Sequence, residues 1–426
     1  MSRETNMASS FTRRRFLQYS GAATLGGSLL AACGGSVTGP GTGGGGGVAL
    51  QHWYHQYGET GTEAAAKRYA KEYTKAAVTV RWTPGDYATV LNSALLSNNP
   101  PDVFEQSIAA VDQVKNGLFE PLDDILADVK DDFSAVSLSN FTVNGKVYAI
   151  KMLNDTGLLY YRKSLLQKAG LQPPQTFDDV ITAANKLTTS SVKGLFVGND
   201  GGIGSLQSLA VWSAGGDFIS PDNKIMFNTD RTAAAIEQIV KLNKTKSLLL
   251  GNTTDWWDPS AFTQGLAAMQ WTGLWAMPAI VKALGDDFGV LPWPKLDAQG
   301  TPATFLGGWG AMVAAKGKNV QAAKDYVRWL WIDNKKDQED WCLAYGFHIP
   351  PRASLAATAT KLQSGPASEA VQIAKQYGKS TSPLYDGAIG TAFTNAVTNA
   401  VKSNANITSE LKKAEDLGNT ELQKLV

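Results

Sequence analysis

The sequence is short of cysteine and histidine, and this scarcity limits the chemistry available to the protein. Two cysteines, Cys33 and Cys342, and three histidines occur in 426 residues. If one strand runs through His52 and His55, the two side chains point to opposite faces and do not form a shared metal site. Cys33 lies in the N-terminal leader, which leaves Cys342 without a partner and predicts a buried, inert thiol. We therefore expect no metal, no cofactor and no internal disulfide.

An excess of charge of one sign is also missing. Lysine and arginine total 39 against 38 for aspartate and glutamate, a formal net charge of +1, and the basic residues are scattered. Nucleic-acid binding requires a concentrated basic surface, so we exclude this class of partner. The glycine-rich residues 198–204 lack the Lys-Ser/Thr ending of a phosphate loop, and Ser205 lies in no Gly-x-Ser-x-Gly motif. Without a catalytic motif, we expect a protein that is not an enzyme.

Long hydrophobic runs are absent after the N-terminal region, and the run within that region is short. A twin-arginine segment, Thr12 to Leu17, overlaps a Gly- and Ala-rich apolar stretch from Phe16 to Leu30, and Leu-Ala-Ala-Cys ends at Cys33. The stretch is too short and too weakly apolar for a lasting membrane span. The pattern resembles a bacterial lipoprotein signal peptide, in which cleavage leaves Cys33 as the lipidated N-terminus. We expect residues 1–33 to be this signal.

Glycine fills the next segment, and regular secondary structure begins after it. Residues 34–47 have the composition of a flexible tether. Val48 to Trp53, Val78 to Trp82 and Asp102 to Phe104 have the pattern of strands, with helical spacing between them. We expect one intervening helix to begin with a capping box at Thr60 and the other with an N-cap at Asp86. The alternation predicts an α/β fold with a largely parallel sheet.

Tryptophan is frequent, with 12 residues in the chain. Many of them stand outside clean helical stripes and close to Gly, Pro or Asp, namely Trp53, Trp82, Trp212, Trp256, Trp257, Trp271, Trp275, Trp293 and Trp309. The flat apolar face and single N–H donor of an indole suit stacking on a sugar ring, although core packing is the ordinary role of any one tryptophan. The set as a whole favours a ligand-binding groove.

A series of ordered segments resembles one known family. Its core is NGKVYAI at 144–150, LYYRK at 159–163, LLQKAGL at 165–171 and PPQTFDD at 173–179. Flanking segments are PDVF at 101–104, GLFEPLD at 117–123, FTQGLAAM at 262–269, GLWA at 273–276, GVLP at 289–292 and GGWG at 307–310. These segments resemble the extracellular solute-binding proteins of family 1, the sugar-binding receptors of ABC importers, which are related to maltose-binding protein. One departure is Lys151, where the family usually has proline.

The resemblance implies two α/β lobes joined by a hinge of crossing segments, a periplasmic-binding-protein-like fold of type II with the ligand in the cleft between the lobes. It places the crossings near Ile150 to Leu153, Leu291 to Pro294 and Asp333 to Asp337. Lobe one would comprise residues 48–151 and 293–334, and lobe two residues 152–292 and 335–426. Hinge closure around the ligand would bury it.

The resemblance also implies a function and partners. We expect a monomeric receptor that captures a sugar or oligosaccharide and delivers it to the transmembrane subunits of an ABC permease. Together with the signal, it implies an extracytoplasmic lipoprotein that is held at the outer face of the cytoplasmic membrane by a lipid on Cys33.

Ligands in open α/β sheets bind beyond the carboxyl ends of the strands, so polar and aromatic residues at those ends are the expected ligand groups. Carboxylates and amides suit the hydroxyl groups of a sugar, and Trp or Tyr suits its faces. The predicted ligand-binding residues are Trp53, Tyr54, His55, Glu59, Glu105 and Gln106 in lobe one, Asp155 at the hinge, Trp212, Asp217, Asp255, Trp256, Trp257 and Trp275 in lobe two, and Gly308, Trp309 and Arg352 in the returning segments.

Alternative roles remain open for several of these residues. Glu105 and Gln106 could equally cap the helix that follows them. Trp256 and Trp257 lie in a polar loop where two adjacent rings cannot both be core, and the alternative is one packed ring and one surface ring.

Two other functions are also open. A secreted glycoside hydrolase could use paired carboxylates such as Asp255 and Asp258, although the lack of a catalytic motif favours binding. A sensor that reports ligand to a membrane kinase would use the same pair of closing lobes as a transport receptor, so the sequence does not separate these two.

Overall fold

The computed structural model of the protein describes residues 47–385 and 387–426. The predicted export signal, with Cys33, and residues 34–46 of the predicted tether lie outside these described residues, and the inferences drawn from them remain predictions. Within the described ranges, no helix combines the length and the apolar character needed to cross a membrane.

Two larger β-sheets organise the described residues. The strands are β1 (Ala49–His55), β2 (Ala77–Thr83), β3 (Val103–Gln106), β4 (Thr142–Val143), β5 (Lys146–Val147), β6 (Ile150–Lys151), β7 (Asp155–Tyr161), β8 (Lys193–Phe196), β9 (Ala267–Gly273), β10 (Gly289–Leu291), β11 (Thr304–Gly307), β12 (Gly310–Val313) and β13 (Gly378–Lys379). The first sheet has the order β2-β1-β3-β12-β6. The second has the order β13-β11-β7-β9-β8, and β10 also pairs with β7. Strands β4 and β5 form a separate pair.

Helices surround the sheets. They are α1 (Thr62–Glu72), α2 (Tyr87–Leu95), α3 (Val111–Lys115), α4 (Asp123–Leu126), α5 (Ala135–Ser139), α6 (Lys163–Lys168), α7 (Phe177–Leu187), α8 (Ile203–Ser213), α9 (Asp230–Lys244), α10 (Ser260–Thr263), α11 (Met277–Leu284), α12 (Val320–Arg328), α13 (Lys335–Leu343), α14 (Ala353–Ala356), α15 (Gly365–Tyr377), α16 (Ala388–Ser403) and α17 (Ile407–Leu425). A π-helix, Trp329–Asp333, continues α12. Short 3₁₀ turns cover Lys130–Asp132, Leu274–Ala276 and Thr360–Leu362.

The prediction of a largely parallel sheet is confirmed for β1, β2 and β3 of the first sheet, but β12 pairs antiparallel with β3 and β6, and β7 pairs antiparallel with β9, β10 and β11. Strand β1 pairs with β2 in parallel from Ala49 opposite Ala77 to His55 opposite Thr83, and it also pairs with β3 in parallel. Parallel neighbours require a crossover, which α1 and α2 supply. The sheets and their helices form the predicted two-lobed α/β fold.

The helix starts agree with the sequence at one of the two predicted caps. A carboxylate oxygen of Asp86 accepts a hydrogen bond from the backbone N–H of Thr89 at 3.1 Å and caps α2, as predicted. The capping box at Thr60 is wrong, because α1 begins at Thr62 after Gly61, whose φ is 101°. Glycine adopts this left-handed conformation without the steric cost that a side chain imposes.

Two segments of the chain pack against a different sheet from the one that the expected lobe boundaries gave them. Residues 293–307 were expected in lobe one, but Trp293 is buried in the core of the second sheet and β11 pairs with β7. Residues from 335 onwards were expected in lobe two, but Trp341 of α13 packs on Tyr54 and Tyr69 beside the first sheet. The chain does not cross at Pro292, because Trp293 pairs with Ala303 and the strand that follows returns to the second sheet.

Three crossing segments meet at the hinge. The backbone N–H of Met152 donates to the carbonyl of Trp309 at 2.9 Å, and Asn154 exchanges backbone hydrogen bonds with Ile349 at 2.9 and 3.0 Å. Gly308 has a φ of 105°, and a Cβ there would lie 2.4 Å from the carbonyl oxygen of Leu153. A glycine is therefore required where the first two crossings touch.

Candidate functional site

A cavity of about 970 Å³ lies where strands of the first sheet end and the hinge begins. His55 is the last residue of β1, Gln106 is the last residue of β3, Asp155 is the first residue of β7, and Trp309 directly precedes β12. The lining residues are His55, Gln56, Tyr57, Gly58, Glu59, Gly85, Asp86, Tyr87, Ala88, Leu91, Asn92, Gln106, Ser107, Ile108, Ala110, Asp112, Gln113, Asp155, Trp256, Trp257, Trp275, Trp309, His348 and Gly387. The position agrees with the general placement of ligands beyond the carboxyl ends of parallel strands.

Glu105 lies behind one wall of the cavity and holds two of its side chains by hydrogen bonds. It is fully buried, and one carboxylate oxygen accepts hydrogen bonds from both the backbone N–H (2.6 Å) and Nδ1 of His55. The other oxygen accepts the hydroxyl of Tyr57 at 2.8 Å. Burial, reinforced by Glu105, raises the pKa of Tyr57 well above its ordinary value, so its hydroxyl stays protonated and donates. Glu105 thus positions two rings that line the cavity, a role different from both the ligand contact and the helix cap considered for it.

A buried histidine joins three parts of the chain at the cavity floor. His348 Nδ1 lies 2.5 Å from an Asp155 carboxylate oxygen, and its Nε2 lies 2.9 Å from a Glu59 carboxylate oxygen. Burial by itself lowers the pKa of His348, but the two carboxylates outweigh it and raise the pKa to about 10. Burial likewise raises the pKa of Glu59, but the hydrogen bond from His348 outweighs it and lowers the pKa. At neutral pH the floor is therefore an imidazolium held between two carboxylates.

Aromatic rings form much of the remaining surface. Trp309 stacks on His55 with ring centroids 3.8 Å apart and planes inclined by 22°. The Trp256 and Trp275 rings meet edge to face at 6.0 Å, and Trp275 Nε1 donates to the carbonyl of Trp257 at 2.9 Å. Trp257 is 46% exposed, an unusual degree for so large an apolar side chain. Broad ring faces are therefore available to a ligand.

The loop that carries Trp256 and Trp257 is held from the second sheet. The buried Gln270 of β9 donates through Nε2 to the carbonyls of Trp256 and Asp258, at 3.2 and 2.8 Å. Trp257 extends from this loop towards the segment after β1, where a Cβ on Gly58 would lie 3.6 Å from its ring. The cavity thus has walls from both sheets.

Half of the predicted ligand-binding residues line the cavity, namely His55, Glu59, Gln106, Asp155, Trp256, Trp257, Trp275 and Trp309. Both rings of the Trp256-Trp257 pair are among them. The role of each in binding remains a proposal.

The other half do not line it, and the structure gives each a different role. Trp53 is buried beneath the Arg81 guanidinium at 3.9 Å, Tyr54 and Trp212 are core residues, and Glu105 positions His55 and Tyr57. Asp217 is exposed and accepts from the N–H of Phe218, and Asp255 accepts from the N–H groups of Asn199 and Trp256. Gly308 serves the hinge, and Arg352 pairs with Asp132 at 2.8 Å. None of these eight residues lines the cavity, and their predicted contacts with a ligand stay predictions.

Several lining residues were not predicted. Tyr87 is the first residue of α2, and the apolar spacing of that helix is explained equally well by core packing. Tyr57 lies between two predicted residues and could have been found by extending the loop after β1. His348 has no local signal, since it becomes recognisable only through its hydrogen bonds to Glu59 and Asp155.

Other chemistry finds little support in the described part of the chain. No group of three or more His, Cys, Asp or Glu residues there is arranged to hold a metal ion. Cys342 is buried, its thiol lies 3.6 Å from the carbonyl oxygen of Met152, and burial raises the pKa of this thiol. It is therefore an inert core residue, as predicted.

The two-lobed fold and its cleft define a class of protein. The profile of the bacterial extracellular solute-binding protein family matches residues 64–370, and the chain belongs to that family.

Individual relatives are more distant. A probable ABC transporter-binding protein of Deinococcus radiodurans is 32% identical over 219 residues, which cover 48% of this chain and 51% of that protein. A multiple sugar-binding protein of Streptococcus mutans is 22% identical over 282 residues, covering 62% and 66%. An arabinooligosaccharide-binding protein of Bacillus subtilis is 21% identical over 264 residues, covering 58% and 60%. The chain spans about half the length of the first of these relatives and less than two thirds of each of the others.

Solved structures share the fold over most of the chain. An ABC transporter solute-binding protein from Thermotoga lettingae, bound to α-D-tagatose, has a TM-score of 0.74 at 20% identity, covering 88% of this chain and 100% of that chain. Maltose-bound MalE3 of T. maritima has a TM-score of 0.74 at 20% identity, covering 89% and 100%. The GacH receptor of Streptomyces glaucescens has a TM-score of 0.73 at 23% identity, covering 88% and 99%. At these identities the likeness concerns the fold.

Proposed function

We propose that the protein is the extracytoplasmic binding component of an ABC importer, which captures a sugar or oligosaccharide by lobe closure and delivers it to the transmembrane subunits of a permease. One observation carries the proposal: the cavity of about 970 Å³ has aromatic and acidic walls that come from both sheets. Its volume falls within the range of about 300–1,000 Å³ that is typical of small-molecule sites.

The chemistry of the lining suits a saccharide. Indole faces such as those of Trp257 and Trp309 pack against the apolar C–H faces of a sugar ring. Glu59, Asp155 and Gln106 offer carboxylate and amide groups to the hydroxyls at the ring edge. Relatives named for multiple sugars and arabinooligosaccharides support the same ligand class.

The hinge supplies the motion that capture requires. The crossings at residues 152–154 and 308–309 are short, and they connect the first sheet to the second. Rotation about them would part the Trp256-Trp257 loop from the segment that carries Gly58 and Glu59 to admit a ligand, and the reverse rotation would enclose it. The closed pair of lobes would then be the form that a permease recognises.

Binding without turnover is better supported than hydrolysis. The carboxylate pair considered for a hydrolase, Asp255 and Asp258, is engaged in ordering its own loop and does not line the cavity. Of the carboxylates that do line it, Glu59 and Asp155 share His348 and are not free to act as an acid and a nucleophile.

The location and assembly of the receptor belong to the same proposal. Residues 1–33 would direct export, a lipid on Cys33 would anchor a monomer at the outer face of the cytoplasmic membrane, and residues 34–47 would tether it. Labelling with a radioactive fatty acid tests the anchor: wild-type protein should incorporate label and a Cys33→Ser variant should not. Label retained by the variant would refute the assignment. Cross-linked membrane partners would distinguish an ABC permease from a sensor kinase.

A thermal-shift screen tests the ligand class. The protein from Val48 onwards is heated with a panel of monosaccharides, oligosaccharides and polyols, and a ligand that binds only the folded state must raise the melting temperature. We expect a shift with one saccharide class and no released product by chromatography. If no carbohydrate shifts the melting temperature, the protein is not a sugar receptor. If product forms, the glycoside hydrolase hypothesis is favoured instead.

A further inference from the structure

We propose that the cavity selects its ligand by charge and hydrogen-bond polarity: it prefers a saccharide with a protonated amino group to a neutral one, and it rejects anionic saccharides. This inference rests on the proposed function, because it assigns the substrate class of the same site. It separates this cleft from one that would take sugar phosphates or uronates.

The lining supplies negative charge without a free positive partner. Glu59, Asp86, Asp112 and Asp155 line the cavity, and none of its lining residues within the described chain is lysine or arginine. His348 also lines it, but Asp155 and Glu59 engage both of its ring nitrogens and the residue is 4% exposed. An anionic ligand would meet like charges with no cation available to pair with it, which costs several kcal/mol in a partly desolvated site.

Several hydrogen-bond donors on the lining side chains already bond to other groups of the protein and are not available to a ligand. The Glu105 carboxylate only accepts, so Nδ1 of His55 and the hydroxyl of Tyr57 must donate to it. Trp275 likewise spends its indole N–H on the carbonyl of Trp257. The Tyr57 oxygen keeps its lone pairs and can accept from a ligand, as can the carboxylates of the lining. The walls are therefore rich in acceptors and match a ligand rich in hydroxyl and ammonium donors.

The aromatic residues favour a cation as well as a sugar face. Trp256, Trp257, Trp309, Tyr57 and Tyr87 all line the cavity. An ammonium group within about 6 Å of such a ring face is attracted to it, and the attraction strengthens as the site is desolvated. A neutral sugar uses the same faces without this term, so the rings would hold the saccharide and the acidic residues would set the preference for charge.

Asp86 and Asp112 allow the preference to be tested without breaking a buried network. Both are exposed at the first-sheet side of the cavity, unlike Glu59 and Asp155. Asp86 also caps α2 by accepting from the N–H of Thr89, and asparagine caps a helix as well as aspartate does. Replacing both by asparagine therefore removes two charges while preserving shape and the helix cap.

Isothermal titration with charge-matched saccharides tests the proposal. Wild-type protein is titrated with di- and trisaccharides of glucose, glucosamine and glucuronate, each in α- and β-linked form, slightly below neutral pH where the amino groups are protonated. We expect the glucosamine series to bind about tenfold tighter than the glucose series, with the ratio falling as salt is added, and the glucuronate series not to bind. Glucuronate binding as tight as glucose, or glucosamine binding no tighter than glucose, overturns the proposal and leaves sugar binding intact. Failure of every series overturns the proposed function too.

Variants assign the preference to the named carboxylates. The double change Asp86→Asn and Asp112→Asn should reduce the glucosamine-to-glucose affinity ratio from about tenfold to less than about threefold. Asp131→Asn is the matched control, because Asp131 is exposed but does not line the cavity, and its ratio should equal that of the wild type. Circular dichroism confirms that each variant folds. An unchanged ratio in the double variant, or an equal drop in the control, contradicts the assignment.

Discussion

Two buried basic groups near the hinge predict opposite dependences of stability on pH. Burial alone would lower the pKa of His348, but Asp155 and Glu59 raise it from an ordinary 6.5 to about 10. Burial lowers the pKa of Lys151 from 10.5 to about 7, against a smaller opposing effect of Asp155. Both residues are nearly inaccessible, at 4% and 2% exposure, so solvent screening is weak.

The signs follow from which state holds the proton. Between about pH 6.5 and 10 the folded state keeps a proton on His348 that the unfolded chain has lost, so the free energy of unfolding falls by about 1.4 kcal/mol per pH unit. Between about pH 7 and 10.5 the unfolded chain keeps a proton on Lys151 that the folded state has lost, so the same free energy rises at about the same rate. Each term amounts to about 5 kcal/mol in total, and the two nearly cancel between pH 7 and 10.

Single substitutions should expose each term. In His348→Gln, the free energy of unfolding should increase from pH 7 to 10 relative to the wild type, because the falling term is gone. This variant should also lose about 3–5 kcal/mol at neutral pH, because two buried carboxylates lose their cation. In Lys151→Met, the free energy of unfolding should decrease over the same range. Urea unfolding followed by tryptophan fluorescence at a series of pH values measures both slopes.

A matched control separates charge from packing. His52 is fully buried, and burial lowers its pKa to about 3, so it is uncharged in both states above pH 7. His52→Gln should therefore change stability without changing its slope with pH. Stability curves for the His348 and Lys151 variants that run parallel to the wild-type curve would refute the reasoning. If His348→Gln does not fold, Lys151→Met still shows whether Lys151 makes the free energy of unfolding rise with pH.

Three further predictions concern the site and the hinge. Trp257→Ala should weaken saccharide binding at least about tenfold in isothermal titration with an unchanged melting temperature, whereas Leu250→Ala, which is exposed but outside the cavity, should change neither. Glu105→Gln should weaken binding because it loosens the two rings that donate to this carboxylate, and wild-type affinity would contradict that role. Gly308→Ala should lower the free energy of unfolding in urea by more than about 3 kcal/mol, because its Cβ would strike a backbone carbonyl. Gly145→Ala, also at positive φ but with nothing within 4 Å, should lose only about 1–2 kcal/mol, and equal losses would refute the contact.

The candidate site was partly predictable because one rule of sheet geometry is local. His55 and Gln106 were found from where strands of the first sheet end, since ligands gather at that edge of a parallel sheet, and Asp155 was found from its predicted place at the hinge. The same rule could not decide between neighbours such as Tyr54, which is a core residue, and His55, which lines the cavity. Successive residues alternate faces, and which face meets the cavity depends on what packs against the sheet.

The sequence by itself determined the features that act over a few residues: the strand and helix periodicity, the Asp86 cap and the parallel order of the first strands. Tertiary structure alone decided that β11 joins the second sheet, that Trp341 packs beside the first, and that Glu59, Asp155 and His348 meet. Hydrogen-bond partners separated by 193 and 289 residues leave no periodic or capping signal along the chain. Their charges and pKa values arise only from the burial and proximity that folding creates.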